Sequence, residues 1–170
     1  SIGYTFYTDS TGRCVYSKTT DAGDSWSGST IVYDQTDCLK IVVWYDQWTP
    51  GDIGSVIHIA TLDNSLDHIF YNQLDIGTDT LLLGSSPVDT AINTGQAPTI
   101  SVNANTHSLT KATDGEIYVA VNDVSDSFIV SCSSSCTSTA SWNEVGVNPF
   151  DLQNDHNLLM PLAGGDILLI

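Results

Sequence analysis

Gly54-Ser55-Val56-Ile57-His58-Ile59 opens a segment in which an apolar strand runs to a turn beginning at Asp63 and on into His68-Ile69-Phe70-Tyr71. Short β-branched and aromatic runs separated by turn residues predict a β-hairpin. The arrangement recurs. Gly3-Tyr4-Thr5-Phe6-Tyr7 leads through a turn at Asp9 to Cys14-Val15-Tyr16. Gly115-Glu116-Ile117-Tyr118-Val119 leads through a turn at Asp123 to Ser127-Phe128-Ile129-Val130. A fourth copy begins at Gly165-Asp166-Ile167-Leu168-Leu169, and the four glycines are 51, 61 and 50 residues apart. The stretches before the third and fourth copies also match, His107-Ser108-Leu109-Thr110 against His156-Asn157-Leu158-Leu159.

A period of about 50–60 residues holding four short strands is the spacing of a propeller blade. One such sheet cannot bury both faces alone, so neighbours must stack. The expected fold is therefore all-β: a β-propeller built of four-stranded antiparallel blades, with about three blades and part of another in a single domain, 1–170. The approximate blades are 1–38, 39–96, 97–150 and an incomplete 151–170. Pro98–Val102 fits this frame poorly. The sequence begins and ends on a second strand counted from the axis, which leaves the apolar run Ile167–Ile170 without a visible partner. An unpaired apolar edge invites pairing with another chain. Two expectations follow: further blades in a longer chain, or copies that complete one another.

Composition supports the turn-rich reading. Of 170 residues, 18 are Asp and only Glu116 and Glu144 are Glu. Asp stabilises tight turns through its short side chain, whereas Glu favours helices. Against these acids stand Lys18, Lys40, Lys111 and Arg13, for a net charge of −16. Such a surface repels phosphate backbones, which excludes a nucleic-acid partner, and attracts divalent cations or basic partners. No apolar run approaches the roughly 18 residues of a membrane span.

Cys14, Cys38, Cys132 and Cys136 permit three pairings. The expected pairs are Cys14–Cys38 and Cys132–Cys136, the second closing the flexible loop Ser133-Ser134-Ser135. A zinc site is the rival, weakened because a single C-x3-C lacks four ligands. Oxidised cysteines place the protein outside the cytosol, in the extracellular space or on the cell surface.

Thr19-Thr20-Asp21-Ala22-Gly23-Asp24-Ser25-Trp26 matches the pattern S/T-x-D-x-G-x-S/T-W at Thr19, Asp21, Gly23, Ser25 and Trp26. In this the chain resembles the Asp-box, or bacterial neuraminidase repeat, superfamily of sialidase-like propellers. The Asp carboxylate accepts backbone N–H bonds across the turn, Gly allows a positive φ, and the Trp is expected to fold beneath the hairpin toward the neighbouring blade. Asp75-Ile76-Gly77 keeps the centre of the box, and Ser135–Trp142 keeps its ends, with Cys132–Cys136 standing in for the lost turn bonds. The resemblance implies a structural box at the blade periphery, away from the axial ligand site.

Catalysis of the sialidase kind is not expected. Members that cleave sialic acid hold its carboxylate with three arginines and use a Tyr–Glu pair as nucleophile and an Asp as acid, and of the arginines this chain has only Arg13. Glu116 and Tyr118 share a strand face, but Glu116 reads as the opening of an ordinary strand. His58, His68, His107 and His156 lack ligand spacing. No cofactor is expected; a structural calcium is the one candidate ion, from Asp21 with Asp24 or Asp123 with Asp126. Trp44, Tyr45 and Trp48 are candidate ligand-binding aromatics, set against core packing of Trp44 and loop cover by Trp48. The expected function is a non-catalytic extracellular module that binds carbohydrate or protein. The alternatives are a self-associating subunit of a fibre or surface layer, and a fragment of a sialidase-like glycoside hydrolase.

Overall fold

The computed structural model describes residues 1–63, 68–90, 106–122, 127–147 and 158–170. The turns at Asn64-Ser65 and Asp123–Asp126, the segment Pro98–Val102, and His156 lie outside the described residues. The chain is all-β, and every strand pair is antiparallel.

Among the described residues four sheets follow one another along the chain. The first holds β1 (Gly3–Thr8), β2 (Cys14–Thr19) and β3 (Thr30–Tyr33). The second holds β4 (Cys38–Tyr45), β5 (Val56–Asp63) and β6 (His68–Asp75), with β7 (Thr80–Leu81) and β8 (Val88–Asp89) both pairing with β6. The third is β9 (Thr106–Lys111), β10 (Ile117–Asn122), β11 (Ser127–Cys132) and β12 (Asn143–Val147). The last is a hairpin of β13 (Leu159–Pro161) and β14 (Ile167–Leu169). Apart from β8, which pairs with β6 and not with β7, neighbours in each sheet are consecutive along the chain, because short turns join adjacent antiparallel strands.

The sheets stack through their first strands: β1 packs on β4, β4 on β9 and β9 on β13. Strand alternation places successive side chains on opposite faces, so each middle sheet buries both. Tyr4, Phe6 and Tyr16 pack on Ile57, Ile59 and Leu74 between the first two sheets. Ala60, Leu62 and Tyr71 meet Leu109, Val119 and Trp142 between the second and third. Ala120 and Ile129 meet Leu159, Ile167 and Leu169 between the third and the hairpin.

This facing corrects the alignment of one repeat. Ile57, Ile117 and Ile167 all point back toward the preceding sheet. Ile57, not Val56, is therefore the counterpart of Ile117, and Ser55 holds the place of Gly115. The glycines misled because the loop entering β5 differs from the one entering β10 by a residue.

Both expected disulfides are present, Cys14–Cys38 and Cys132–Cys136. The first joins the start of β2 to the start of β4 and so ties two sheets together.

Candidate functional site

The hairpin around Thr19–Trp26 shows why its residue pattern recurs. Asp21 accepts from the Ser25 backbone N–H at 2.9 Å and from the Ser25 and Thr19 hydroxyls at 2.5 and 2.6 Å. Ser25 and Thr19 hold its carboxyl well below the ordinary carboxylate range. Gly23 has φ 100°, the left-handed backbone that glycine tolerates. Asp75 makes the reduced version of this turn, accepting the Gly77 N–H at 2.8 Å.

Trp26 departs from expectation. It is 48% exposed and joins none of the buried clusters, whereas Trp142 is 1% exposed. The difference is the neighbour. Trp142 stands against Tyr71 of the preceding sheet and donates its indole N–H to the Cys136 carbonyl at 2.9 Å. The first sheet has no preceding sheet among the described residues.

The three candidate aromatics divide between two environments, because Trp44 and Tyr45 are consecutive on a strand and face opposite ways. Trp44 packs on the core between the second and third sheets, and its indole N–H reaches Thr49 Oγ1 at 2.9 Å. Tyr45 turns toward the first sheet. Trp48, in the turn Asp46–Trp48, is 57% exposed and stands edge-on to both rings.

Tyr45 and Trp48 form one wall of an apolar cleft of about 390 Å³. Ile2, Tyr4, Phe6, Val43, Ile57 and Ile76 complete its lining. The volume lies within the ~300–1,000 Å³ typical of ligand pockets. Tyr4 and Phe6 of the lining lie on β1, with Ile2 just before it, and β1 is the end strand of its sheet among the described residues. At one end Tyr4 donates its hydroxyl to Asp79 at 3.0 Å, and Lys18 pairs with Asp79 at 2.9 Å. Among the described residues no carboxylate, lysine or arginine lines the cleft itself. Sequence reasoning found Tyr45 and Trp48 but missed Ile2, Tyr4, Phe6 and Ile76. The alternation of Ile2, Tyr4 and Phe6 along one strand was the available signal.

A second polar constellation was not legible. Asp46 is buried and accepts from His58 Nε2 at 2.9 Å, Lys111 Nζ at 2.6 Å and the Val56 N–H at 2.9 Å. Burial opposes its ionisation, but His58, Lys111 and the Val56 N–H outweigh burial and hold the carboxyl well below its usual range. Nδ1 of the His58 ring hydrogen-bonds with the Tyr71 hydroxyl, whose oxygen accepts from Gln73 Nε2 at 2.8 Å. Tyr71 resembles a nucleophile beside a base only in outline: burial pushes its phenol upward and keeps it protonated. Lys111 also reaches Asp52 at 2.8 Å, so the network pins the second sheet to the third.

Glu116 immediately precedes β10, and it and Tyr118, two residues apart, come together. The Tyr118 hydroxyl donates to Glu116 Oε2 at 2.9 Å. Burial first, and then the Glu116 carboxylate, push the phenol up to about 12. A phenol held protonated is the reverse of an activated nucleophile. For calcium, both Asp21 oxygens already serve Thr19 and Ser25, and no group of three ligating side chains forms among the described residues. Asp123 and Asp126 lie outside them.

No protein-family model matches the chain, and no curated protein sequence is similar to it.

Proposed function

We propose that this chain is a non-catalytic, extracellular binding module of the propeller type, and that its cleft receives an extended apolar segment of protein. The observation that carries this reading is that β1, whose Tyr4 and Phe6 line the cleft, is an end strand of its sheet among the described residues. An added strand finds backbone N–H and C=O partners along the edge of an end strand and pockets for alternate side chains beside it. The stacked antiparallel sheets and the Asp21-centred hairpin support blades of an Asp-box propeller. The two disulfides support an oxidising compartment.

Carbohydrate is the weaker ligand. A sugar needs convergent polar groups as well as rings, and the Tyr4 hydroxyl at the cleft is already given to Asp79. Only the exposed ring of Trp48 favours it. Calorimetry with a peptide of alternating apolar residues and with a panel of oligosaccharides separates the two. The expected result is peptide binding weakened about tenfold or more by Trp48→Ala. Binding of sugars without peptide would reverse the assignment, and binding of neither would end it.

A further inference from the structure

The cleft reading leaves its occupant unnamed, and the geometry points to the C-terminal hairpin of a second copy of this chain. The inference rests on that reading and adds the partner. In the pair β13–β14, one face packs on the third sheet through Leu159, Ile167 and Leu169. The other face is open. Met160 lies opposite Leu168, and Leu158 and Ile170 exchange both backbone hydrogen bonds. These four side chains are between 41% and 63% exposed. They form one apolar stripe, because alternate residues of paired strands share a face.

Two-stranded hairpins are marginal alone. The outer edge of β14 carries no strand among the described residues, and neither does that of β1. Joining these edges turns a two-stranded and a three-stranded sheet into one of five strands, the size of the second sheet. The joined sheet continues the stacking already present in the chain. Its back face lies on the third sheet of one copy, as Leu159 and Leu169 do now. Its front face lies on the second sheet of the other copy, as Tyr4 and Phe6 do now. Leu168 and Ile170 then enter the cleft beside Tyr4 and Phe6.

Charge argues for the same pairing. At −16 overall, two copies repel across most of their surfaces. Residues 158–170 contain one ionisable side chain, Asp166, and the cleft is lined by apolar and aromatic residues. These are the surfaces on which copies can meet without opposing like charges. Because hairpin and cleft are different patches, the contact is heterologous and propagates head to tail, into a ring or a filament.

Sedimentation velocity over a range of concentrations tests this. The wild-type chain is expected to grow beyond a dimer as concentration rises. Leu168→Asp on the hairpin and Ile2→Asp in the cleft, both at exposed positions, should each leave monomers. Their equimolar mixture should form a heterodimer that stops growing, since each variant keeps one intact patch. Met160→Lys, checked by circular dichroism, repeats the hairpin lesion should Leu168→Asp fail to fold. A wild-type chain that stays monomeric, or a mixture that recovers no dimer, would overturn the inference. If Leu168→Asp still binds the alternating apolar peptide while wild type stays monomeric, the cleft reading stands and only the second copy is lost. If neither peptide nor second copy binds, both fail.

Discussion

The Trp142 indole meets the Tyr71 ring edge-on, with centroids 4.9 Å apart and planes at 60°. Through it the third sheet is locked to the second, whereas Trp26, at the end of the matching sequence pattern, has no such ring to meet. The same side chain therefore carries very different energies in the two hairpins. Trp142→Ala should cost about 3–5 kcal/mol, as for other fully buried aromatics. Trp26→Ala should cost no more than ~1 kcal/mol, since half its surface is already wet. Urea unfolding of the two variants checks the contrast.

Asp46 is the one carboxylate shared by His58 and Lys111. Asp46→Ala leaves the Lys111 ammonium facing Asp52 alone and the His58 Nε2–H without an acceptor. Breaking a buried pair from one side typically costs about 3–5 kcal/mol. Asp46→Ala should lose stability on this scale in a denaturant titration, and a change under ~1 kcal/mol would show that the network contributes little.

His107 is buried, and neither ring nitrogen has a hydrogen-bond partner among the described residues. Burial first, and then the Lys40 charge, lower its pKa to about 3. The sign follows from proton binding. Below its ordinary value of roughly 6.5 the unfolded chain takes a proton that the folded chain refuses, so stability falls with acidification from about pH 6.5 down toward 3. The loss by pH 4.5 should be on the order of 2 kcal/mol. Asp46 titrates lower still, its stabilisation being present above the ordinary carboxylate range and lost below it. His107→Phe should flatten the upper part of the profile, as read from unfolding midpoints at pH 8, 6 and 4.5.

The two disulfides should differ in worth. Cys14–Cys38 spans 24 residues and Cys132–Cys136 spans four. In the chain-entropy model they contribute roughly 3 and 2 kcal/mol. Replacing both cysteines of a pair by Ala, one pair at a time, should lower the melting temperature more for Cys14–Cys38, which also joins two sheets.

Local chemistry was legible in the order of residues. The Thr19–Trp26 turn is closed by groups within six residues of one another, so its pattern alone specifies Asp21 as the acceptor. Both cysteine pairs followed from loop length and position. Tyr45 and Trp48 stood out as neighbouring rings. By contrast, Asp46, His58, Tyr71 and Lys111 are scattered over 65 residues, and nothing local marks them as one network.

What the amino-acid order determined by itself is the β class, the hairpins and the turn that Asp21 closes, because those depend on alternation and on bonds between near neighbours. Only the tertiary structure decided which faces are covered: why Trp142 is buried and Trp26 is not, why Ile57 matches Ile117, and where a cleft remains open. Burial is a property of what packs alongside. Among the described residues the two middle sheets are packed on both faces and the first and the last on one, whatever their own residues prefer.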